Sequence, residues 1–446
     1  MSSYQQTIIV ELGSSRIKVG FAGETKPRRV LNGVVWDTDD CSWHIPISDG
    51  MGARPCNWGK LFQYASTNGS APSLTHRVSS VYEWEESLYP LFSHVLTFIL
   101  FVQRPSRHRI LILMNDIYPP RHLREALSNV ILNYIGIGGL LLVNGGEFAT
   151  MSYLLDGLPR SINAKSRTKA HLLVDIGTYE ARVVVSVSGS SILENTFQTS
   201  MSGYHSFLTQ ILHNYRADAQ SDKEKAKEID TESTVTTLQD ANAIVQAWLQ
   251  ISRTSIDISV ISVNLPSLAS DSSQTSTQIP IEPLQQAFHQ VYLDYTNPSS
   301  LIYTMLTSAL VCPIDYRRIA LQNVLLLGGG STVLQYFNSA NDGDGFGHSL
   351  MKAAQEACGA RDETEKSEEK KDDDARAISS IAKQRFKCLK ASVLSCVDVN
   401  GEQKYGMRCS YPDPFAADVA SWIGGSIMGS LDLKNEEWMT KSSASN

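Results

Sequence analysis

Apolar residues fall along this chain in short β-branched runs broken by Gly turns, and the runs come in matched sets. Ile8–Glu11 is an apolar strand ending in a Gly turn, and Ile17–Ala22 reads as the returning arm of a hairpin. The same grammar recurs at His171–Gly189, "HLLVDIGTYEARVVVSVSG", again a strand, an acidic residue, a Gly turn and a β-branched return. Two copies, one in each half, predict a duplicated fold. Between them Leu88, Leu91, Phe92, Val95, Leu96, Ile99 and Leu100 fall at helical spacing, which predicts a core-facing helix with Pro90 in its first turn. Arg109–Met114, "RILILM", reads as a buried strand, Pro120–Gly136 as a helix ending near Gly136, and "GLLLV" as another strand. Strands alternating with helices indicate an α/β fold with a partly parallel sheet.

The second half carries most of the irregular sequence. Ala217–Thr234 is charged and polar, Leu265–Gln278 is Ser/Thr-rich, and both read as surface excursions. Arg361–Arg376, "RDETEKSEEKKDDDAR", has mixed charge and no apolar stripe, as a solvated insertion does.

With 446 residues the chain exceeds the ~250–300 that one core accommodates, so more than one lobe is expected. The net charge of −7 offers no basic field for nucleic acid or anionic lipid. Seven cysteines, scattered and without a C-x-x-C pair, argue against a disulfide framework and a structural zinc site, and fit a reducing compartment. The first residues show no basic and apolar leader, and the longest nearly apolar run, Leu96–Val102, is far short of the ~20 residues that span a bilayer. The expectation is a soluble intracellular protein without direct membrane insertion.

Four stretches carry candidate chemistry. In the first turn Gly13 permits close approach of backbone amides to an anion, Ser14 adds a hydroxyl, and Lys18 can return across the hairpin to a phosphate oxygen. In the second, Asp175 stands at a strand end with Gly177 two residues on. Either turn alone is as readily a plain hairpin, but two from two lobes could close on one triphosphate and its magnesium, with Glu11 and Asp175 addressing the metal. "NVLLLGGGSTVLQYF", Asn323–Phe337, runs a strand into Gly328, Gly329 and Gly330, a turn that lets a ring or sugar approach the backbone or simply joins strand to helix. "SWIGGSIMGSL", Ser421–Leu431, reads as a helix packed closely through its glycines.

In this order and at these separations the four stretches resemble the actin superfamily, with "GFAGE" and "SWIGGS" close to actin's wording. The resemblance implies an α/β, actin-like fold: two lobes, each built on a duplicated mixed sheet with flanking helices, with ATP or ADP and Mg2+ in the cleft. The lobes implied are 1–155 with 410–446 (outer subdomain about 32–84) and 156–409 (outer subdomain about 203–305, charged insertion 361–376). It places Gly13, Ser14, Lys18, Gly177, Gly329 and Gly330 on the nucleotide and Glu11 and Asp175 on the carboxylates facing the metal. The adenine-contacting helix is expected near Leu238–Gln250.

"GFAGETKPR", "NDIYPPRHLREAL" and "CPIDYRR", Cys312–Arg318, look like the branch found at the pointed end of dynactin, the last stretch differing from conventional actin by Pro313. The same residues are equally allowed as a loop proline followed by an Asp cap. That branch implies a cytoplasmic, cytoskeletal subunit capping an actin-like filament. Its partners are filament subunits and other pointed-end subunits of dynactin, and indirectly dynein, with no nucleic acid. Few residues remain after Trp438 to form actin's longer tail, and Trp36–Ser73 or Arg361–Arg376 could refuse a further subunit or merely be solvated.

Departures bear on catalysis. Where actin has the Gln that orients attacking water, one alignment frame places Phe148 and another Glu147. Arg182 stands where actin has His, Thr178 replaces an acidic residue, and Asp418 stands where actin has a basic residue against the adenine. A water nucleophile needs a group to orient it and take its proton, so the expectation is nucleotide binding with slow or no hydrolysis, and no catalytic residue. Alternatives are a nuclear actin-related protein of a chromatin-remodelling complex, and an active ATPase of the sugar-kinase and heat-shock chaperone class.

Overall fold

The computed structural model describes residues 6–13, 16–32, 35–37, 42–44, 81–114, 121–154, 170–187, 191–225, 235, 237–251, 259–266, 276–335, 337, 345–359, 373–394, 396–397, 403–404, 407, 409–411, 415–431 and 438–441. The chain divides into two compact units, Met1–Ser166 with Pro412–Asn446, and Arg167–Tyr411.

In the first unit β1 (Ile8–Leu12), β2 (Arg16–Phe21), β3 (Arg29–Asn32), β4 (Arg109–Met114) and β5 (Gly139–Asn144) form one sheet in the order β3-β2-β1-β4-β5. β1–β2 and β2–β3 are antiparallel, β1–β4 and β4–β5 parallel. In the second unit β6 (Ala170–Ile176), β7 (Ala181–Val187), β8 (Ser191–Ser200), β9 (Val324–Leu327) and β10 (Cys409–Ser410) take the order β8-β7-β6-β9-β10 with the same senses. The duplication predicted from two hairpins extends to the whole sheet, and the α/β class holds.

Helices cover both faces of the central strands, which is why β1 and β4 read as unbroken apolar runs and not as alternating ones. On one face Ile8, Val10 and Leu12 pack with Leu88, Phe92 and Val130. On the other, Ile9, Leu111 and Leu113 pack with Phe148, Trp422 and Ile423. The core of the second unit includes Phe207, Phe288, Tyr292, Phe337 and Phe346, with Phe288 and Phe337 stacked at 4.2 Å.

Several expectations are corrected. The first long helix begins earlier than its apolar stripe suggests, at Val81, so Pro90 lies inside Val81–His94 and not in a first turn. A proline there removes one rung of the ladder, and the helix passes into a wider π turn at Val95–Ile99. Ala217–Lys225 continues the helix Tyr204–Lys225, while 226–234 falls outside the described residues. Leu265 is buried and Thr277–Pro280 pairs antiparallel with Val260–Val263, so the Ser/Thr-rich excursion narrows to 267–275, outside the described residues. Of Arg361–Arg376, 361–372 likewise falls outside, and Asp373 opens the helix Asp373–Phe386. Most of Trp36–Ser73 is also outside the described residues. Among the described residues no helix is long and apolar enough to cross a membrane.

The stretches "GFAGE" and "SWIGGS" turn out to be one packing unit. The helix Ala420–Ser430 lies against the helix Gly145–Leu154, with Gly424 so close to the Phe148 carbonyl that no Cβ fits. A Cβ on Gly20 would stand 2.7 Å from the Trp422 ring and from Glu24 Oε2. The Gly23 amide donates to the Ser426 carbonyl at 3.2 Å, and Ser426 Oγ to the Glu24 carbonyl at 2.7 Å. Glu24 also accepts from the Phe21 amide at 2.8 Å and from Arg28 Nε at 2.5 Å. Gly424→Ala is therefore expected to cost about 3 kcal/mol or more in denaturant unfolding, because the obstacle is backbone and cannot rotate away.

Candidate functional site

The two hairpin turns share one construction. An acidic residue ends the first strand, Glu11 or Asp175. Two residues on, a glycine amide closes the turn, from Gly13 to the Arg16 carbonyl at 3.1 Å and from Gly177 to the Glu180 carbonyl at 2.9 Å. The residue directly opposite the acid in register is a base, Lys18 facing Glu11 and Arg182 facing Asp175. The Gly13 and Gly177 amides are thus directed into their own turns. The place a Cβ would take is filled by the turn itself, with the Arg16 carbonyl 2.5 Å from it at Gly13 and the Glu180 carbonyl 3.1 Å from it at Gly177.

In the first unit Lys18 Nζ donates to Glu11 Oε1 at 2.5 Å, and both side chains are 6% exposed. Glu11 shares a sheet face with Ile9, beneath the helix Ala420–Ser430. The extra methylene that distinguishes Glu from Asp carries the carboxylate across the hairpin to the base. At the turn's surface Arg16 pairs with Asp418 at 3.2 Å, so the acid that the resemblance sets against an adenine holds a guanidinium of the same unit. Ser14 lies outside the described residues.

In the second unit Arg182 is shared. Its Nη2 pairs closely with Glu180, and its Nη1 stands 3.7 Å from Asp175, beyond hydrogen-bond length. The turn is fastened from behind: the Gly177 carbonyl accepts from the Tyr204 amide at 3.0 Å, and the Thr178 carbonyl from the His205 amide at 2.7 Å. Burial lowers the His205 pKa below its ordinary value, which keeps the ring neutral beside Tyr179, 5.4 Å away between centroids.

β9 delivers the glycine run to the same place. Gly328 has φ +88°, and a Cβ there would fall on Asp175 Oδ1 and the Ile176 carbonyl. A Cβ on Gly330 would meet Ile176 Cγ2 at 2.5 Å, whereas one on Gly329 meets no described atom within 4 Å. Asp175, Gly328 and Gly330 are therefore packed together, and Gly329 presents bare backbone to open space.

This arrangement bears on the nucleotide and metal that the resemblance implies. Gly329 fits the approach of a ring or sugar, since the room its missing Cβ leaves is filled by nothing from the described chain. Asp175 fits a metal-facing carboxylate by its place at the end of β6, half-buried, with the Arg182 guanidinium 3.7 Å away. Glu11 meets that role less openly, since its Oε1 already accepts from Lys18 at 2.5 Å and its side chain is 6% exposed.

The two frames for the water-orienting position separate clearly. Phe148 points into the core against Gly424. Glu147 is half-buried in the first turn of the helix Gly145–Leu154, which Asn144 caps by accepting from the Gly146 amide at 2.9 Å and the Glu147 amide at 3.3 Å. Burial raises the Glu147 pKa above its ordinary value. In the predicted adenine helix, observed as Leu238–Ile251, Asp240 and Thr237 form a reciprocal cap.

Sequence reasoning passed over Glu180, Gly203 and the pairing of each acid with the base seven residues later. That spacing was open to view in both hairpins. Gly203 lies flush against the Tyr179–Glu180 backbone, a contact that no local pattern announces.

Residues 2–256, more than half of the chain, match the protein-family model described as Actin.

Two outcomes are expected from these pairs. Glu11→Leu or Lys18→Met alone should lower stability by about 3–5 kcal/mol, and the double replacement should recover most of it, as a double-mutant cycle by denaturant unfolding would read. For Glu147 the native state keeps a proton that the unfolded chain releases. Its stabilising contribution is full below the ordinary value of 4.5 and is lost as pH rises through the raised folded value. Between 4.5 and that raised value, melting temperature measured against pH should fall less steeply in Glu147→Gln than in the parent.

Proposed function

The chain belongs to the actin family, and from that premise we propose that it is a structural, non-hydrolysing member, the actin-related subunit that caps the pointed end of the dynactin filament. In this reading it joins actin-like filament subunits to the other pointed-end subunits, in the cytoplasm, and supports dynein-driven movement along microtubules. It holds ATP or ADP as a structural ligand and not as a substrate, with Asp175 toward the metal.

The observation that carries the non-enzymatic reading is the placement of Phe148, in the core against Gly424 with no polar atom to offer a water. Support for the branch comes from the Cys312–Arg318 stretch. Pro313 takes the N-cap position of the helix Ile314–Gln322, so the residue that departs from conventional actin sets a helix corner; Asp315 falls within the first turn and makes no cap. Arg317 ties that corner to the preceding helix through the Leu310 and Cys312 carbonyls at 2.7 and 3.1 Å, leaving Ile314 77% exposed.

A second reading, an active actin-fold ATPase, draws on Glu147 alone, a half-buried carboxyl in the first turn of its helix that burial makes a stronger proton acceptor than an ordinary Glu. Phosphate release from ATP above background, abolished by Glu147→Gln, would establish it over the structural one.

Isolation of the tagged full chain from cells should recover actin-like filament and pointed-end subunits in fixed ratio; chromatin-remodelling ATPases in their place would sink the proposal. For the nucleotide, Gly329→Ala gives a clean separation. The added methyl meets no described atom and should leave stability equal or raised by about 0.4–1 kcal/mol. Equilibrium dialysis with ATP should show binding weakened about tenfold or more, and undiminished binding would remove Gly329 from the site.

A further inference from the structure

Phe101 is the one non-glycine among the described residues with a positive φ, 54°, and its side chain is 75% exposed. A bulky residue in the left-handed region is strained, and such strain persists only where the surroundings over-determine it. Here they do. The Leu100 amide donates to the Val95 carbonyl at 2.9 Å, the Val102 amide to the Leu96 carbonyl at 2.8 Å, and Leu100 is buried.

The same unit contains its own control. The π turn Asn129–Ile135 ends in the same way, with the Ile137 amide donating to the Ile131 carbonyl at 3.0 Å across the same six-residue span. There the left-handed position is Gly136, φ 82°, the residue type that takes this conformation without strain. The turn therefore does not call for an aromatic. At Phe101 the chain holds a strained side chain whose ring lies mostly in water, and stability gains nothing from it.

The surroundings define what the ring is for. Phe98, three residues earlier, is 58% exposed and lies beside His94, 5.5 Å between centroids. Arg104 and Arg107 follow, both exposed, and Arg104 is within about 11 Å of Phe101 along the chain. From Ser87 to Asn115 no Asp or Glu occurs, although the chain as a whole carries −7. Two exposed aromatics and two arginines without an acidic neighbour in sequence complement a segment of the opposite character. Anionic membrane recognition draws on clusters of about 4–8 basic residues, more than this segment supplies.

We infer that Phe98, Phe101, Arg104 and Arg107 form a docking surface for an acidic protein segment carrying apolar anchor side chains. The rings take the anchors, and the guanidiniums take carboxylates beside them.

The test places the photo-crosslinker p-benzoylphenylalanine at position 98 of the full chain in cells and reads the attached segment by mass spectrometry. A segment rich in Asp and Glu with interspersed Leu, Met, Phe or Trp is expected. A synthetic peptide of that segment should bind the purified chain at least about tenfold more weakly after Phe101→Gly, and likewise after Arg104→Glu with Arg107→Glu. Phe101→Gly should raise the melting temperature by about 1–3 °C, so its loss of binding cannot come from unfolding. A crosslink to a basic segment, a second copy of this chain, lipid or nucleic acid, or no crosslink at all, overturns the inference. So does peptide binding indifferent to Phe101→Gly, or a melting temperature lowered by it.

Discussion

Glu11 and Lys18 meet across β1 and β2 with both side chains 6% exposed, and at that depth neither charge is tolerable without the other. The pair pins the hairpin register, because a slip of one residue would turn one of the two charges to the opposite sheet face, where Ile8, Val10 and Leu12 now pack, and leave the other buried without it. Around the pinned hairpin the parallel strands and covering helices follow. The second unit repeats the device with Arg182 opposite Asp175, but divides the guanidinium between Asp175 and Glu180. The same construction thus gives a tightly held carboxylate in one unit and a loosely held one in the other.

The two acids differ in how they meet the base opposite: Glu11 lies against Lys18 at 2.5 Å, whereas Asp175 stands 3.7 Å from Arg182, beyond hydrogen-bond length. The glycine run deepens the contrast: Gly328 and Gly330 are consumed by packing against Asp175 and Ile176, and Gly329 alone is left with space before it. Membership of the actin family makes a nucleotide the natural occupant to seek, and of the two neighbours Phe148 and Glu147 it is Phe148 that packs in the core.

The two stretches closest to actin's wording meet in the first unit as packing partners. "GFAGE" and "SWIGGS" stand about 400 residues apart in sequence, yet Gly20 rests on Trp422, and Gly23 and Glu24 bond with Ser426. They constrain one another because each glycine yields space to the other stretch's side chain or backbone. Their wording identifies the fold and carries no ligand chemistry of its own.

Local pattern was enough for the elements and the duplication. A strand covered on both faces must be apolar throughout, and a turn that reverses it needs glycine, so both hairpins, "RILILM" and the strand before Gly328 were legible. So was the spacing of acid and base, seven residues apart in each hairpin. Pro90 misled because the stripe was read only from Leu88, although Val81 and Trp84 carry it two turns further back and pack against the same core. What no local reading could supply was which partner each polar group would choose. Lys18 turned to Glu11, Asp418 to Arg16 and Arg182 chiefly to Glu180, and Phe148 went to the core while its neighbour Glu147 did not. Those choices depend on distances between residues remote in the chain and on how deeply each site is withdrawn from water, and only the folded structure sets either.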